Sequence, residues 1–315
     1  MQGMTQSPMR PLHGILLKLC SVMVFIVMAS LIKATADHVP PGEAVFFRSF
    51  FAIPVIVAWL ALQRQLSTGF RAVNPLGHVW RGLMGTTAMG LGFASLAYLP
   101  LPEVTALGYA APLLTVIFAA MFLGEEVRLF RIACVVLGLT GVLIVLSPRL
   151  SIDPTTGLGG TEALGAVLVL TGAIFSALAQ VFVRKLVLTE STTAIVFYFS
   201  VTSTLLSLIT LPFGWVIPEP REAALLVTAG LLGGVGQILL TASYREADAS
   251  LVAPFEYASM IFALGIGFFI FDEVPTGTML AGAVLVIAAG ILIIWRERRL
   301  GLERAKGRQA HTPQA

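Results

Sequence analysis

Charge is scarce in this chain of 315 residues: 12% of its side chains are Asp, Glu, Lys or Arg, about half the share found in soluble domains. Cysteine is scarcer. The two present, Cys20 and Cys134, each fall inside an apolar stretch, which excludes a disulfide framework and a cysteine metal cluster. The sequence has no HExxH arrangement and no glycine-rich phosphate loop followed by Lys and Ser or Thr, so zinc-protease chemistry and direct ATP hydrolysis find no machinery. No acid, histidine and nucleophile set is legible. Neither a catalytic residue, a metal nor a cofactor is expected.

What is present is apolar length. Hydrophobic residues make up 57% of the chain, more surface than a soluble fold can hide. A helix needs about 20 residues to cross the hydrocarbon layer, and it satisfies its own backbone hydrogen bonds there. Ten segments meet that length, near 13–33, 43–62, 77–97, 102–123, 128–146, 161–183, 192–212, 222–243, 249–270 and 276–295. Their runs are unbroken, whereas the strands of an outer-membrane barrel are short and alternating. The fold class is therefore an all-α membrane protein with ten transmembrane helices, and its expected work is solute movement.

Basic residues cluster beside alternate segment ends, which sets orientation by the positive-inside rule. Arg10, Lys18, Arg64, Arg71, Arg81, Arg128, Arg184 and the Arg-rich tail share one side; Lys33, Arg149 and Arg221 fall on the other. Both termini are expected in the cytoplasm. The net charge of +3 is accounted for by the inner loops and the tail, so no nucleic-acid partner is called for. The first segment runs too long before Lys33 and lacks a convincing cleavage site, so it reads as a retained helix and not a signal peptide.

The chain divides at 147–160, SPRLSIDPTTGLGG, a turn-rich connector expected in the periplasm. On this reading 1–12 is a cytoplasmic N-terminus, 13–146 a first repeat, 161–295 a second, and 296–315 a basic cytoplasmic tail. The repeat is visible around the fourth and ninth segments: Tyr98 answers to Tyr244, and Glu125 to Glu273, each pair 146 to 148 residues apart. Five helices per half is an odd number, so the second half enters the membrane inverted. Inverted repeats of this kind exchange conformations around a central site.

Polar groups inside spans mark candidate sites, because a charge in lipid must be paired, solvated or able to snorkel. Arg48 lies inside the second span in PGEAVFFRSFF, beside Phe47, and either snorkels to the outer interface or contacts substrate or a partner. Glu256, after Pro254 in APFEY, is the best candidate for proton linkage; the rival is a structural pair with Arg48, Arg81 or another basic group. Tyr109, Gln180, Tyr198, Gln237 and Tyr257 add hydrogen-bonding groups that would orient a polar solute or bond between helices. Pro112 and Pro254 are candidate helix bends. Glu125 and Glu273 end the paired fourth and ninth helices. Gly82 and Gly85, Gly138 and Gly141, and the run from Gly230 to Gly236 are expected where helices pack closely.

Taken together, PGEAVFFRSFF at 41–51, FASLAYLPLPEVTALGYAAPLLTVIFAAMFLGE at 93–125, and SYREADASLVAPFEY at 243–257 followed by FDE resemble the EamA branch of the drug/metabolite transporter superfamily over nearly the whole chain. The resemblance implies two inverted five-helix repeats, alternating access and a multi-pass place in a bacterial inner membrane. LHGILLKL, PPGEAVFFRSFF and RGLMG are further similar to the bacterial riboflavin-transporter group, which makes riboflavin uptake the leading expectation. Export of amino acids, drugs or metabolites, and transport of an S-adenosylmethionine-like solute, stand as alternatives. A membrane lipid enzyme and a channel subunit are the readings outside this class. Membrane lipids are expected partners, with a proton or sodium gradient as the candidate drive; oligomeric state is open.

Overall fold

Each apolar segment becomes helix because, in lipid, a backbone has no other donor or acceptor than its own. The computed structural model describes residues 11–64, 66–123, 129–149, 161–187, 189–247 and 249–310. In the first half lie α1 (Pro11–Lys33), α2 (Pro41–Phe50), α3 (Ala52–Leu62), the one-turn α4 (Leu66–Gly69), α5 (Pro75–Ser95), α6 (Leu101–Gly108), α7 (Ala110–Leu123) and α8 (Leu129–Leu146). The second half holds α9 (Thr161–Leu186), α10 (Thr192–Leu208), α11 (Pro220–Glu246), the short α12 (Ala249–Val252), α13 (Ser259–Phe271) and α14 (Gly277–Ala310). Among the described residues, eight segments are long and apolar enough to cross a bilayer. The expected third and seventh spans are the helices α5, more polar with His78 and Arg81, and α10, shorter at 17 residues.

Helix starts follow local chemistry. Proline occupies the first turn of α2, α5, α6 and α11, where its missing N–H costs nothing. Asn74 caps α5 through its side chain, Ser191 caps α10, and Glu219 and Glu222 close a capping box on α11.

Three spans expected as continuous helices are interrupted. The second breaks at Phe51, three residues before Pro54, and the fourth at Tyr109, three residues before Pro112. A proline lacks the amide that would bond back to the preceding turn, so the break falls there. In the ninth span Pro254 opens a 3-10 segment, Ala253–Ala258, before α13 begins. At the other extreme α14 continues past the expected end at 295 to Ala310, through a stretch rich in Arg, Leu, Glu and Ala, which favour helix.

Packing is similar when the two halves are exchanged. The most extensive contacts are α1 with α11, its counterpart α9 with α5, and α8 with α14. Likewise α5 packs on α10 as α11 packs on α2 and α3, and α7 packs on α9 as α13 packs on α1. Glycines make these approaches possible. At the α8–α14 crossing, a β-carbon on Gly141 would stand 2.7 Å from the Gly282 carbonyl oxygen, and one on Gly282 would stand 2.6 Å from that of Gly141. Gly82 and Gly85 seat α5 on Thr202 and Phe199 of α10, and Gly230 and Gly233, 148 residues further on, seat α11 on Phe47, Phe51 and Arg48 of α2 and its end.

Two large apolar cores result, with a smaller one around Ala52, Ile56 and Leu60 of α3. One joins α6 to α9, α13 and α14 around Leu107, Leu113, Val142 and Val286; the other joins α1, α2, α11 and α13 around Ile32, Ala44, Leu226 and Ala263. Outward faces remain apolar, with Met121, Leu143, Leu205, Phe269 and Val284 exposed, as a lipid-facing surface requires.

Candidate functional site

Buried polar side chains are almost always hydrogen-bonded, so those that are not mark a place where something else is meant to be. Among the described residues, the buried side-chain atoms without a hydrogen bond belong to Arg48 and Ser49 on α2, His78 and Arg81 on α5, Ser200 on α10, and Glu190 just before α10. These three helices pack on one another. Nε and Nη1 of both arginines are sealed from solvent and unbonded.

Phe199 of α10 is in reach of both cations. The Arg81 guanidinium carbon sits 3.6 Å from its ring centroid, and that of Arg48 sits 5.6 Å away. Cation–π attraction offsets part of the cost of burying each charge. It leaves the N–H donors unfilled. Arg48 is 4% exposed, so it does not snorkel to an interface. Its neighbour Glu43 is turned to another task, accepting the Val216 amide at 3.1 Å. Beside the arginines, Thr86 and Ser203 share a hydrogen bond of 2.7 Å that ties α5 to α10.

A crevice of about 100 Å³ lies among α1, α2 and α5, lined by Ile32, Val39, Ala44, Phe93, Ala97 and Tyr98 among others. Ala44 and Arg48 are four residues apart on α2 and so share a face, with the arginine one turn deeper. On α5 a β-carbon at Gly92 would meet nothing within 4 Å, and at Gly90 only Val45 at 3.9 Å. A smaller crevice, between α3, α10 and α11, is lined by Trp59, Thr193 and Gln237.

Polar contacts tie elements together at both ends of the bundle. At the end carrying the 34–40 turn, Lys33 pairs with Glu273 at 2.9 Å and donates to the Leu96 and Leu99 carbonyls, while Glu273 accepts the Leu101 amide. At the other end the buried Glu190 accepts the Val73 and Asn74 amides at 2.7 and 2.5 Å and lies 3.4 Å from His78.

The residues singled out from sequence scatter around these features. Arg48 joins the α2–α5–α10 junction, and Phe47 packs beside it against Gly230. Tyr198 is held by a hydrogen bond to the Phe70 carbonyl and by the His78 ring. Tyr109 and Tyr257, 148 residues apart, meet edge to face at 4.9 Å, and the Tyr109 hydroxyl bonds to Ser259; both rings belong to the apolar core. Gln180 is exposed on α9 and Gln237 lines the smaller crevice. Pro112 is exposed, Pro254 half-buried. Glu256 is half exposed and pairs with buried Lys18 of α1, rather than with Arg48 or Arg81. Glu273 pairs with Lys33 at one end of the bundle, while Glu125 lies outside the described residues.

Arg81, Phe199, Ser49 and Ser200 were not singled out as site residues by the sequence. Arg81 carried the same signal as Arg48, a charge inside a span, but was counted among the inner-side basic residues. One phenylalanine among 20 and two serines carried none.

Two stretches of the chain, residues 12–147 and 163–295, each match the EamA-like transporter family. The pseudopaline exporter of Pseudomonas aeruginosa is 30% identical over 281 residues, covering 89% of this chain and 95% of its own. An S-adenosylmethionine uptake transporter of Rickettsia prowazekii is 27% identical over 288 residues, covering 91% and 94%. A solved crystal structure superposes with a TM-score of 0.64 over 91% of this chain and 98% of its own, at 21% identity, and so shares the fold.

Proposed function

Because this chain belongs to the EamA-like transporter family, whose members carry small organic solutes across membranes, we propose that it moves an amino-acid-derived metabolite by alternating access around the α2–α5–α10 junction. It is a multi-pass membrane protein of a bacterial inner-membrane transporter family, and a transporter rather than an enzyme. In our reading it spans the membrane ten times, as two inverted five-helix repeats over 13–146 and 161–295. The linker 147–160 is periplasmic, and the termini 1–12 and 296–315 are cytoplasmic. The 34–40 end is then the outer one.

The observation that carries this reading is the cluster of unfilled polar groups at a junction of both halves, with a separate closure at each end. Lys33 with Glu273 shuts the outer end and Glu190 with the 73–74 backbone shuts the inner one. A solute site between two independent closures is what alternating access needs. Arg48 and Phe47 are placed at that site; Tyr109 and Tyr257 act as a core hinge contact between the fourth and ninth spans.

Among the relatives named above, one takes up S-adenosylmethionine and one exports pseudopaline. These names support the alternative of an S-adenosylmethionine-like solute or an exported metabolite better than riboflavin, and the amino-acid-derived metabolite replaces it as the leading candidate. Counterflow tests this reading. Proteoliposomes preloaded with unlabelled S-adenosylmethionine or with single amino acids are given the labelled solute outside, with no nucleotide present. Transient accumulation above protein-free vesicles for one of these solutes supports the proposal; background levels for all of them with folded protein contradict it.

A further inference from the structure

We propose that Arg48 and Arg81 form an anion subsite that takes a carboxylate of the transported solute, with Phe199 holding the two guanidiniums. The inference rests on the transport reading above and deepens it from a position in the fold to a chemical requirement on the cargo.

Two guanidiniums meet at one aromatic ring, and no carboxylate among the described residues pairs with either. A buried charge without a partner is unstable unless something supplies the counter-charge. Here Nε and Nη1 of both side chains are sealed and unbonded, so donors outnumber acceptors at the junction. The buried Ser49 and Ser200 hydroxyls are likewise unbonded, and each has lone pairs and a proton to offer. The missing component is an acceptor with several lone pairs and negative charge.

Guanidinium selects among such acceptors by shape. Its planar fork matches the two oxygens of a carboxylate, giving paired charge-assisted hydrogen bonds. Two forks, from α2 and from α5, bracket one group if it enters between them. On the same two helices lie the crevice lined by Ala44, one turn from Arg48, and the open space beside Gly90 and Gly92, and the solute would approach from there. Phe199 holds the cations in register and presents an apolar surface to the rest of the solute. Arg48 and Arg81 lie on α2 and α5 of the first half and both contact Phe199 of α10 in the second, so an anion that shifts the two guanidiniums disturbs a contact between the halves. An oxyanion of the same charge also sits on phosphate esters and lipid headgroups, and the test separates these sources.

The full-length protein, purified in an uncharged detergent, is followed by thermal unfolding and by heats of binding. The probes are S-adenosylmethionine, single amino acids and short dicarboxylates, each beside its methyl ester or decarboxylated form, together with inorganic phosphate and phosphatidylglycerol. At least one carboxylate is expected to raise the unfolding temperature by several degrees while its ester does not. Arg48→Gln and Arg81→Gln are expected to weaken that binding by at least about tenfold each, with Arg81→Lys recovering part of it. Without ligand, both glutamine variants are expected to unfold at the same temperature as the parent or higher, because each removes an uncompensated charge.

Esters that bind as well as acids would overturn the assignment. So would a panel in which no carboxylate has any effect, or arginine variants that lower the ligand-free unfolding temperature without changing affinity. Stabilisation by phosphate or by phosphatidylglycerol alone would assign the cations to another ligand and reject the carboxylate. Counterflow of a solute indifferent to its carboxyl group would sink this inference and leave transport standing; carboxylate binding with no counterflow of any solute would do the reverse.

Discussion

Glu43 and Glu190 perform the same task at opposite ends of the bundle. Glu43, in the first turn of α2, accepts the Val216 amide on the approach to α11; Glu190, just ahead of α10, accepts the Val73 and Asn74 amides on the approach to α5. Each carboxylate sits at the positive end of its own helix, where a negative charge is favoured. Each also fastens the chain entering a helix of the other half. The two are 147 residues apart in sequence, so the repeat extends to these contacts at the helix entries.

Replacing Glu190 by alanine therefore removes an acceptor from two part-buried amides. Hydrogen bonds to a charged group contribute about 1.5–3 kcal/mol each, and partial rehydration of the amides returns some of that. We expect a loss of about 2 kcal/mol, read as a lowered unfolding temperature in detergent. Glu43→Ala, with one amide at stake, is expected to lose less; an equal or larger loss would count against the assignment.

The crossing of α8 and α14 makes a sharper steric prediction. A β-carbon at Gly282 would meet the Gly141 carbonyl, which is backbone and cannot swing away. Gly282→Ala is expected to destabilise by about 1–3 kcal/mol, the usual cost of overpacking. Gly92→Ala, where nothing stands within 4 Å, is the control and is expected to be neutral or slightly stabilising.

Much of this architecture was legible in the sequence, and the limits have physical causes. Length and hydropathy located the helices, and among the described residues eight qualify as spans on those grounds alone. Proline gave the breaks near Phe51 and Tyr109 only in outline, because the interruption falls a turn earlier than the residue that causes it. Facing was harder. A tyrosine inside an apolar span reads alike whether it lines a path or fills a core, and Tyr109 and Tyr257 fill a core. Arg81 was hidden by its nearness to a helix start, where a basic residue also serves to orient the span. Phe199 becomes visible only when α2, α5 and α10 are brought together.

The outer closure is tested by a double-mutant cycle. Lys33 and Glu273 are each about nine-tenths buried and 2.9 Å apart. Lys33→Met and Glu273→Gln, alone and combined, are expected to give a coupling of about 1–3 kcal/mol in unfolding free energy. Simple additivity would mean that the pair does not hold the outer end.

One surface contact predicts a pH dependence. His38, half exposed in the 34–40 turn, bonds to Glu222 through Nδ1 at 2.9 Å, and that bond, aided by the charge of Glu222, raises its pKa above 6.5. The folded-state value exceeds the unfolded one, so the stabilisation is complete below about pH 6.5 and is lost as pH climbs through the raised value. Unfolding temperatures measured from about pH 5 to about pH 9 should fall over that window in the parent and stay flatter in His38→Gln. High salt should shrink the difference, because the pair is exposed. Identical profiles would remove the contact from the account.

The most direct test of alternate opening is a pair of distance measurements on one protein, by spin labels placed at each end. With Cys20 and Cys134 replaced by alanine, labels at the exposed positions Asp37 and Val274 report the outer end, and labels at Leu62 and Val187 report the inner end. Adding a transported solute and reversing its gradient should lengthen one distance while shortening the other. Distances that rise and fall together, or that ignore the solute, would contradict the account.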